Sequence, residues 1–163
     1  MDFRKIRPDE FDAVLDLLDK SFPVSRGHIK RDLRIIQQNP KGNGEIYGLF
    51  TEGQLIATAA YGRCYGLQSN QAQSEMWDGE ACLRYLAVDE AHRRKKYASW
   101  IVDKVIKDMK EAGSPCLAVA ALAEDEVAVR FWENKGFEHY DTFKSDEYGT
   151  HRSYVLWFER NSV

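Results

Sequence analysis

Four consecutive basic residues, Arg93 to Lys96, separate an apolar run from a segment whose apolar residues have helical spacing. The chain as a whole has a net charge of −3, so positive charge is concentrated at this junction. A helix N-terminus presents backbone N–H groups without partners inside the helix, and its dipole adds partial positive charge. Cationic side chains there would make a site for phosphate groups. The alternative is a solvated run of charges, although Lys and Arg in a first helical turn oppose the dipole.

Acid–base chemistry has a separate set of candidate residues. Glu80 stands at the start of an apolar segment, where a carboxylate could take a proton from an amine or could be a solvated charge at a strand end. Tyr85 and Tyr140 are further candidates as proton donors, but tyrosines in strands more often pack half-buried with a hydrogen-bonded hydroxyl. The histidines and cysteines show no spacing typical of metal ligands, and we therefore expect no metal.

The elements that must position these residues begin with two helices and three strands in the first half of the chain. Helical spacing of apolar residues starts at Phe11 and again at Ile29, and Ser25 is a suitable cap for the second helix. The predicted strands are Phe3–Ile6, Glu45–Thr51 and Gln54–Gly62, the last two joined by a turn at Glu52–Gly53. The polar segment 65–79 is predicted to be a long loop.

The second half has a regular strand–helix–strand pattern. Cys116–Leu122 is almost entirely apolar, which favours a strand covered on both faces, as in a parallel sheet. With strand Ala81–Val88 and helix Lys95–Glu111 it forms a unit that requires a right-handed crossover. The remaining elements are helix Asp125–Lys135, ended by Gly136, and strands Phe137–Lys144 and Ser153–Glu159. The predicted fold class is therefore α/β, with a mixed sheet flanked by helices.

Length and composition indicate a single domain over residues 1–163. The apolar runs are far shorter than the roughly 18 residues of a membrane-spanning helix, and the N-terminus lacks the apolar core of a signal peptide. Cys64, Cys82 and Cys116 lie in apolar or strand-like contexts without paired spacing, which is typical of buried free thiols. We therefore expect a cytoplasmic protein without a membrane partner.

Two segments resemble the motifs of the GNAT superfamily of N-acetyltransferases. Leu86–Val88 is similar to the end of the family's central strand, and Arg93–Ala98 to its loop of the form (Q/R)-x-x-G-x-(G/A). Downstream, Asp125–Glu138 resembles the family's N-x-x-A-x-x-F-Y-x-x-x-G-F segment. The residues in register there are Ala128, Phe131, Gly136 and Phe137. The order of predicted elements agrees with the family over nearly the whole chain.

The resemblance implies a GNAT-like fold and transfer of an acetyl group from acetyl-CoA to a primary amine. It also implies that the central strand pairs with the pantetheine arm, that a backbone N–H near Val88 polarises the thioester, and that the loop holds the pyrophosphate. The implied cofactor-binding residues are Leu86, Ala87, Val88, Arg93, Arg94, Lys95, Lys96, Tyr97, Ala98 and Ser99. For the catalytic base we favour Glu80.

Two positions depart from the family pattern. Lys96 stands where the family has a glycine that lets the backbone approach the pyrophosphate, and its ammonium could either contact a phosphate or crowd the loop. Trp132 stands where a tyrosine often serves as general acid, and an indole N–H does not give up its proton near neutral pH. A CoA-binding protein without catalytic activity is therefore an alternative.

Nucleic-acid binding through the basic cluster is a more remote alternative, because the chain is acidic overall and has no second basic stripe. The sequence leaves the acceptor open among antibiotics, polyamines, small metabolites and protein amines. Pairing of edge strands near the C-terminus would allow a homodimer.

Overall fold

The computed structural model describes residues 1–38, 44–63, 80–145 and 149–159. The strands are β1 (Asp2–Lys5), β2 (Glu45–Thr51), β3 (Gln54–Arg63), β4 (Ala81–Val88), β5 (Cys116–Leu122), β6 (Glu138–Ser145) and β7 (Gly149–Trp157). The helices are α1 (Phe11–Ser21), α2 (Arg26–Gln38), α3 (Tyr97–Glu111) and α4 (Glu126–Asn134). These strands form one sheet in the order β1-β2-β3-β4-β5-β7-β6, in which β4 and β5 are parallel. The predicted fold class is confirmed.

The helix ends follow from local chemistry that the sequence already indicated. The Ser25 hydroxyl accepts a hydrogen bond from the His28 N–H at 3.2 Å and caps α2. The Asp125 carboxylate accepts from the Ala128 N–H at 3.1 Å and caps α4, which ends before Gly136 at φ 91°. Helix α3 begins at Tyr97, two residues later than Lys95, because Lys96 has a left-handed conformation.

Strand β7 is longer than the sequence predicts. It begins at Gly149 rather than at Ser153, because backbone pairing with both neighbours extends it through a polar stretch without apolar alternation. His151 pairs with Leu122 of β5 on one side and with Phe143 of β6 on the other. The last strand therefore lies inside the sheet and β6 forms the edge, so the predicted homodimer contact would involve β6. The predicted loop 65–79 lies outside the described residues.

Each face of the sheet has its own buried core. Helices α3 and α4 cover one face, whose core includes Leu83, Ile101, Val105, Leu117 and Trp132. Helices α1 and α2 cover the other face, whose core includes Leu15, Leu18, Ile29, Leu33 and Ala87. The central strand contributes to both cores, which fixes its position relative to all four of these helices.

A bulge in β4 changes which face its side chains reach. Ala87 pairs with Thr58 and Arg84 pairs with Ala60, so Tyr85 and Leu86 together stand opposite one residue of β3. Tyr85 has φ 54°, which is unusual for a residue other than glycine. Because a bulge inserts one residue into the alternation, the side chains beyond it change faces. Tyr85 accordingly packs against the α1–α2 core, whereas without the bulge it would share a face with Leu83.

Strands β4 and β5 separate soon after they meet. Ala81 pairs with Leu117 and Cys82 with Ala118, and the described backbone shows no further β4–β5 pairs. Beyond Cys82 the two parallel strands diverge, so one side of β4 from Leu83 to Val88 faces an opening. Such backbone can accept an extended ligand as if it were a further strand.

The cysteines do not all match the expectation from sequence. Cys116 is a buried free thiol, as predicted, but Cys82 is disulfide-bonded, so the prediction of a free thiol is wrong there. Cys64 lies outside the described residues. A disulfide at Cys82 is not what reduced cytoplasmic thiols would show, and the cytoplasmic location stays a prediction. No helix within the described ranges has the length and apolar content needed to cross a bilayer.

Close backbone contact between β3 and the start of β2 predicts a sensitive position. A Cβ added at Gly62 would lie 2.6 Å from the Gly44 Cα, where only backbone could move to relieve the clash. We expect Gly62→Ala to lower the free energy of unfolding by about 1–3 kcal/mol, the usual range for overpacking. Gly27→Ala is the matched control, because a Cβ there meets nothing within 4 Å and helix propensity favours alanine. Urea denaturation of both variants tests this, and equal effects would contradict it.

Candidate active site

A cavity of about 1250 Å³ fills the opening between β4 and β5. Its walls come from the α1–α2 junction, β4, β5, the start of α3, one face of α4, and β6 with β7. Pockets for single small molecules usually measure about 300–1,000 Å³. The cavity is therefore large enough for a long cosubstrate together with part of a second molecule.

The basic junction closes one end of this cavity. Arg93, Arg94 and Lys96 line it, and so do Tyr97, Ala98 and Ser99 at the start of α3. The Arg93 Nε donates to the Val88 carbonyl at 3.2 Å, which fixes the loop against the end of β4. Arg94 and Lys96 have φ values of 65° and 64°. Left-handed residues in such a loop turn backbone N–H groups toward one concave surface that favours anions.

Lys96 occupies a backbone position that favours glycine. It is the N-cap of α3 with φ 64° and ψ 20°, and its carbonyl accepts the Trp100 N–H at 3.0 Å. A left-handed conformation costs a residue with a Cβ roughly 1–2 kcal/mol. A glycine, as in the family motif that this loop resembles, would avoid this cost. Lysine at this position therefore adds a positive charge but strains the backbone.

The α4 wall contributes a cation that the sequence analysis missed. The Lys135 ammonium donates to the Ser99 hydroxyl at 2.9 Å and to the Asp103 carboxylate at 2.5 Å. These two bonds tie α4 to the first turn of α3 and place a further positive charge on the cavity wall. A lysine next to a helix-ending glycine is common, so no local pattern signals these contacts of Lys135.

Trp132 is a packing residue of the same wall. Its ring is 6% exposed and lies edge-on to Phe131 and Phe137, with centroids 4.9 Å and 5.0 Å apart. An indole has one N–H donor and no acidic proton near neutral pH. The structure therefore gives Trp132 a place in the core and no group for proton transfer.

The wall of the cavity formed by β4 and α2 holds a tyrosine and a carboxylate in contact. The Tyr85 hydroxyl donates to the Asp32 carboxylate at 2.5 Å, and both residues line the cavity. The Phe22 ring meets the Tyr85 ring edge-on at 5.8 Å. Arg84 lines the cavity beside this pair. Burial lowers the pKa of its guanidinium, while Tyr85 and Asp32 act in the opposite direction. Arginine stays charged in proteins, so Asp32 has a cation close by.

Asp32 had no signal in the sequence, because it is one polar residue among many on α2. Tyr85 was a candidate from the sequence, but its direction was not predictable. The bulge in β4 determines that its side chain points toward α2. The pair exists only because two segments 53 residues apart pack together.

The cofactor-binding residues predicted from the sequence are almost all brought together. The predicted residues that line the cavity are Leu86, Ala87, Val88, Arg93, Arg94, Lys96, Tyr97, Ala98 and Ser99. Lys95 is the one predicted residue of this set that does not line it.

Glu80 does not lie with the predicted cofactor-binding residues that line the cavity. It precedes β4, is 9% exposed and is not among the cavity residues. It lies near Cys116, whose pKa is raised to about 12 by burial of the thiol and, to a smaller extent, by the charge of Glu80. Tyr85 is five residues further along the strand, or roughly 17 Å at about 3.3 Å per residue. The assignment of Glu80 as base stays a prediction.

The described ranges hold no group of three or more His, Cys, Asp or Glu side chains arranged to bind a metal ion.

The model of the Acetyltransferase (GNAT) family matches residues 11–137, a stretch that runs from the start of α1 to the turn after α4. This match covers more than half of the chain and includes the basic junction and strands β4 and β5. Among proteins with curated functions, none matches this sequence.

Several solved structures share the fold over the full length of both chains. An acetyltransferase of the GNAT family from Staphylococcus aureus Mu50 has a TM-score of 0.75 at 16% identity, covering 97% of this chain and 99% of that chain. The ribosomal-protein-S18-alanine N-acetyltransferase from Escherichia coli has a TM-score of 0.72 at 15% identity, covering 99% and 96%. The yncA protein from Salmonella typhimurium, solved with its cofactor acetyl-CoA, has a TM-score of 0.67 at 12% identity, covering 100% and 96%. Likeness at these identities shows the fold.

The left-handed conformation of Lys96 predicts the effect of replacing it. Lys96→Gly should raise the free energy of unfolding by up to about 1 kcal/mol, because relief of strain exceeds the extra chain entropy of glycine. Lys95→Gly is the matched control, since it removes the same charge from a residue that is not left-handed, and it should not stabilise the protein. Thermal and urea unfolding without ligand measure both variants, and a stability loss in Lys96→Gly as large as in the control would contradict the strain argument.

Proposed function

The chain belongs to the GNAT family of acetyltransferases, and from this premise we propose that it transfers an acetyl group from acetyl-CoA to a primary amine. The acceptor class and its amine are the proposed part of this statement. The yncA structure, which holds acetyl-CoA, has the same fold and supports the choice of cosubstrate.

One observation carries the proposal, namely that an open cleft along β4 leads to a cationic helix N-terminus. Acetyl-CoA has a long uncharged arm that ends in a pyrophosphate. The uncharged arm would match the cleft along β4, and the pyrophosphate would match the cationic helix N-terminus. The backbone of Leu86, Ala87 and Val88 would bind the arm, because this side of β4 has no strand paired to it in the described residues. The loop from Arg93 to Ser99 would hold the pyrophosphate through backbone N–H groups and cationic side chains.

Acetyl transfer requires few catalytic groups from the protein. Holding the amine and the thioester in contact supplies a large part of the rate acceleration. A backbone N–H near Val88 would stabilise the oxyanion, and a thiol with a pKa near 8.5 is a fair leaving group without an acid. The amine must lose a proton before it attacks, so a base is the main requirement. Glu80 is the base that the sequence favours, and we keep it as one proposal.

Turnover separates this function from the alternative of a CoA-binding protein without catalysis. Calorimetry first measures the affinity for CoA, and release of free thiol from acetyl-CoA is then followed with a panel of primary amines. Binding with amine-dependent thiol release supports the proposed function. Binding without release from any amine would support the non-catalytic alternative. Affinity for duplex DNA or RNA that falls steeply with salt would revive the nucleic-acid hypothesis.

Two neighbouring cations give a matched test of the phosphate-binding loop. Arg94 lines the cavity and Lys95 does not, although both belong to the same basic cluster. Arg94→Glu should weaken CoA binding at least tenfold, which corresponds to about 1.4 kcal/mol, because an attraction to phosphate becomes a repulsion. Lys95→Glu changes the net charge equally and should weaken binding less. Equal losses measured by calorimetry at fixed salt would mean that only the general field of the cluster matters.

A further inference from the structure

The Tyr85–Asp32 pair has a geometry that packing alone does not require. Its O–H···O distance of 2.5 Å is at the short limit for a hydroxyl that donates to a charged carboxylate. The Asp32 side chain is 14% exposed and Tyr85 is half-buried, and both line the cavity beside the cleft of β4. A carboxylate and a phenol in contact at the wall of a substrate cavity can exchange and conduct protons.

Three features hold the Tyr85 hydroxyl in place, namely its backbone conformation, one ring contact and one hydrogen bond. The left-handed backbone at the bulge directs the side chain toward α2, and the Phe22 ring at 5.8 Å limits its rotation. The Asp32 carboxylate then fixes the direction of the O–H bond. The one proton of the hydroxyl points at Asp32, so an ammonium that meets Tyr85 Oη would donate to one of its lone pairs.

We propose that Tyr85 and Asp32 form a proton relay that accepts the proton of the acceptor amine during acetyl transfer. This inference rests on the proposed function and supplies a base within the cavity. Tyr85 is the catalytic residue that contacts the amine, and Asp32 is the residue that receives the proton through it.

Two protons move together in the relay step. The cationic amine gives one proton to Tyr85 Oη while the hydroxyl proton of Tyr85 moves to the Asp32 carboxylate. The neutral nitrogen attacks the thioester carbon, a C–N bond forms and the C–S bond breaks. The CoA thiolate takes the second proton of the nitrogen, and Asp32 returns its proton to solvent. No phenolate is formed at any stage, so the high pKa of a phenol does not limit the step.

Two cationic side chains lie near Asp32. Arg84 faces the pair from β4, and the Arg31 guanidinium of α2 lies 3.8 Å from the Asp32 carboxylate. The relay uses the Asp32 carboxylate, which accepts the Tyr85 hydroxyl, as the final proton acceptor.

A second tyrosine–aspartate pair provides a matched control. The Tyr61 hydroxyl donates to the Asp108 carboxylate at 2.8 Å, between β3 and α3. Neither residue lines the cavity. The same substitutions in this pair remove the same chemical groups from a place where they cannot contact the substrate.

The experiment compares Asp32→Asn and Tyr85→Phe with Asp108→Asn and Tyr61→Phe. Each is assayed for CoA affinity, unfolding temperature and single-turnover rate with the fastest amine of the panel. Single turnover excludes product release from the measured rate. Asn keeps a carbonyl that accepts the Tyr85 hydroxyl, so Asp32→Asn preserves the packing and removes the proton acceptor. We expect both relay variants to lose about 100-fold or more in rate with unchanged CoA affinity, in the range of general base catalysis. The control variants should keep the wild-type rate.

A proton inventory tests the coupled movement of two protons directly. The single-turnover rate of the wild-type protein is measured against the fraction of D₂O in H₂O–D₂O mixtures. This plot should be curved for the wild type, because two protons move in the step. It should be linear for Tyr85→Phe, because only one proton moves. A linear wild-type inventory would overturn the relay. If the Asp32→Asn variant does not fold, the rate of Tyr85→Phe and the proton inventory of the wild type still test the relay.

The outcomes separate the relay from the proposed function. Amine-dependent turnover by the wild type together with a wild-type rate in Asp32→Asn and Tyr85→Phe would overturn the relay alone. A loss of rate in Glu80→Gln without a loss in Asp32→Asn would likewise overturn it and favour Glu80 as base. CoA binding without turnover of any amine by the wild type would overturn the proposed function and the relay with it.

Discussion

At Tyr85 the central strand carries one residue more than the strand opposite, and the rest of the cavity depends on this bulge. The extra residue moves Tyr85 and Ala87 to the α1–α2 face, while Leu83 before the bulge stays with the α3–α4 core. A strand without the bulge would present a different set of side chains to each core. The bulge lies three residues beyond Cys82, the last residue of β4 that pairs with β5, and is therefore within the cleft. Bulges are common next to active sites for this reason.

Two parts of the cavity wall differ in their charges. At the α3 end, cationic side chains, backbone N–H groups and the helix dipole all favour anions, and the backbone is strained at Arg94 and Lys96. At the β4 and α2 wall, the Tyr85 hydroxyl donates to the Asp32 carboxylate. Burial lowers the pKa of the Arg84 guanidinium there, and both residues act to raise it. The cavity thus brings an anion-binding loop and a hydrogen-bonded acid–base pair to one space.

Packing between α3 and α4 supports the cationic loop. Lys135 links α4 to the first turn of α3 through Ser99 and Asp103, which holds the cationic loop against the cavity. Trp132 fills the space behind this link with two aromatic neighbours. A tyrosine in its place would gain an acidic proton but lose part of this packing. Trp132 therefore supplies packing and no acidic proton at this position of α4.

By itself, the sequence determined the order of elements, the parallel strand–helix–strand unit and the basic loop, because these depend on neighbouring residues and local periodicity. Apolar spacing along Cys116–Leu122 and the motif around Arg93 are local signals of this kind. Tertiary structure decided the rest. The left-handed Lys96, the bulge at Tyr85 and the Lys135 contacts depend on strands and helices that meet only after folding. Asp32 reaches Tyr85 across 53 residues of chain, and no periodicity in the sequence encodes a contact between single polar side chains at that separation.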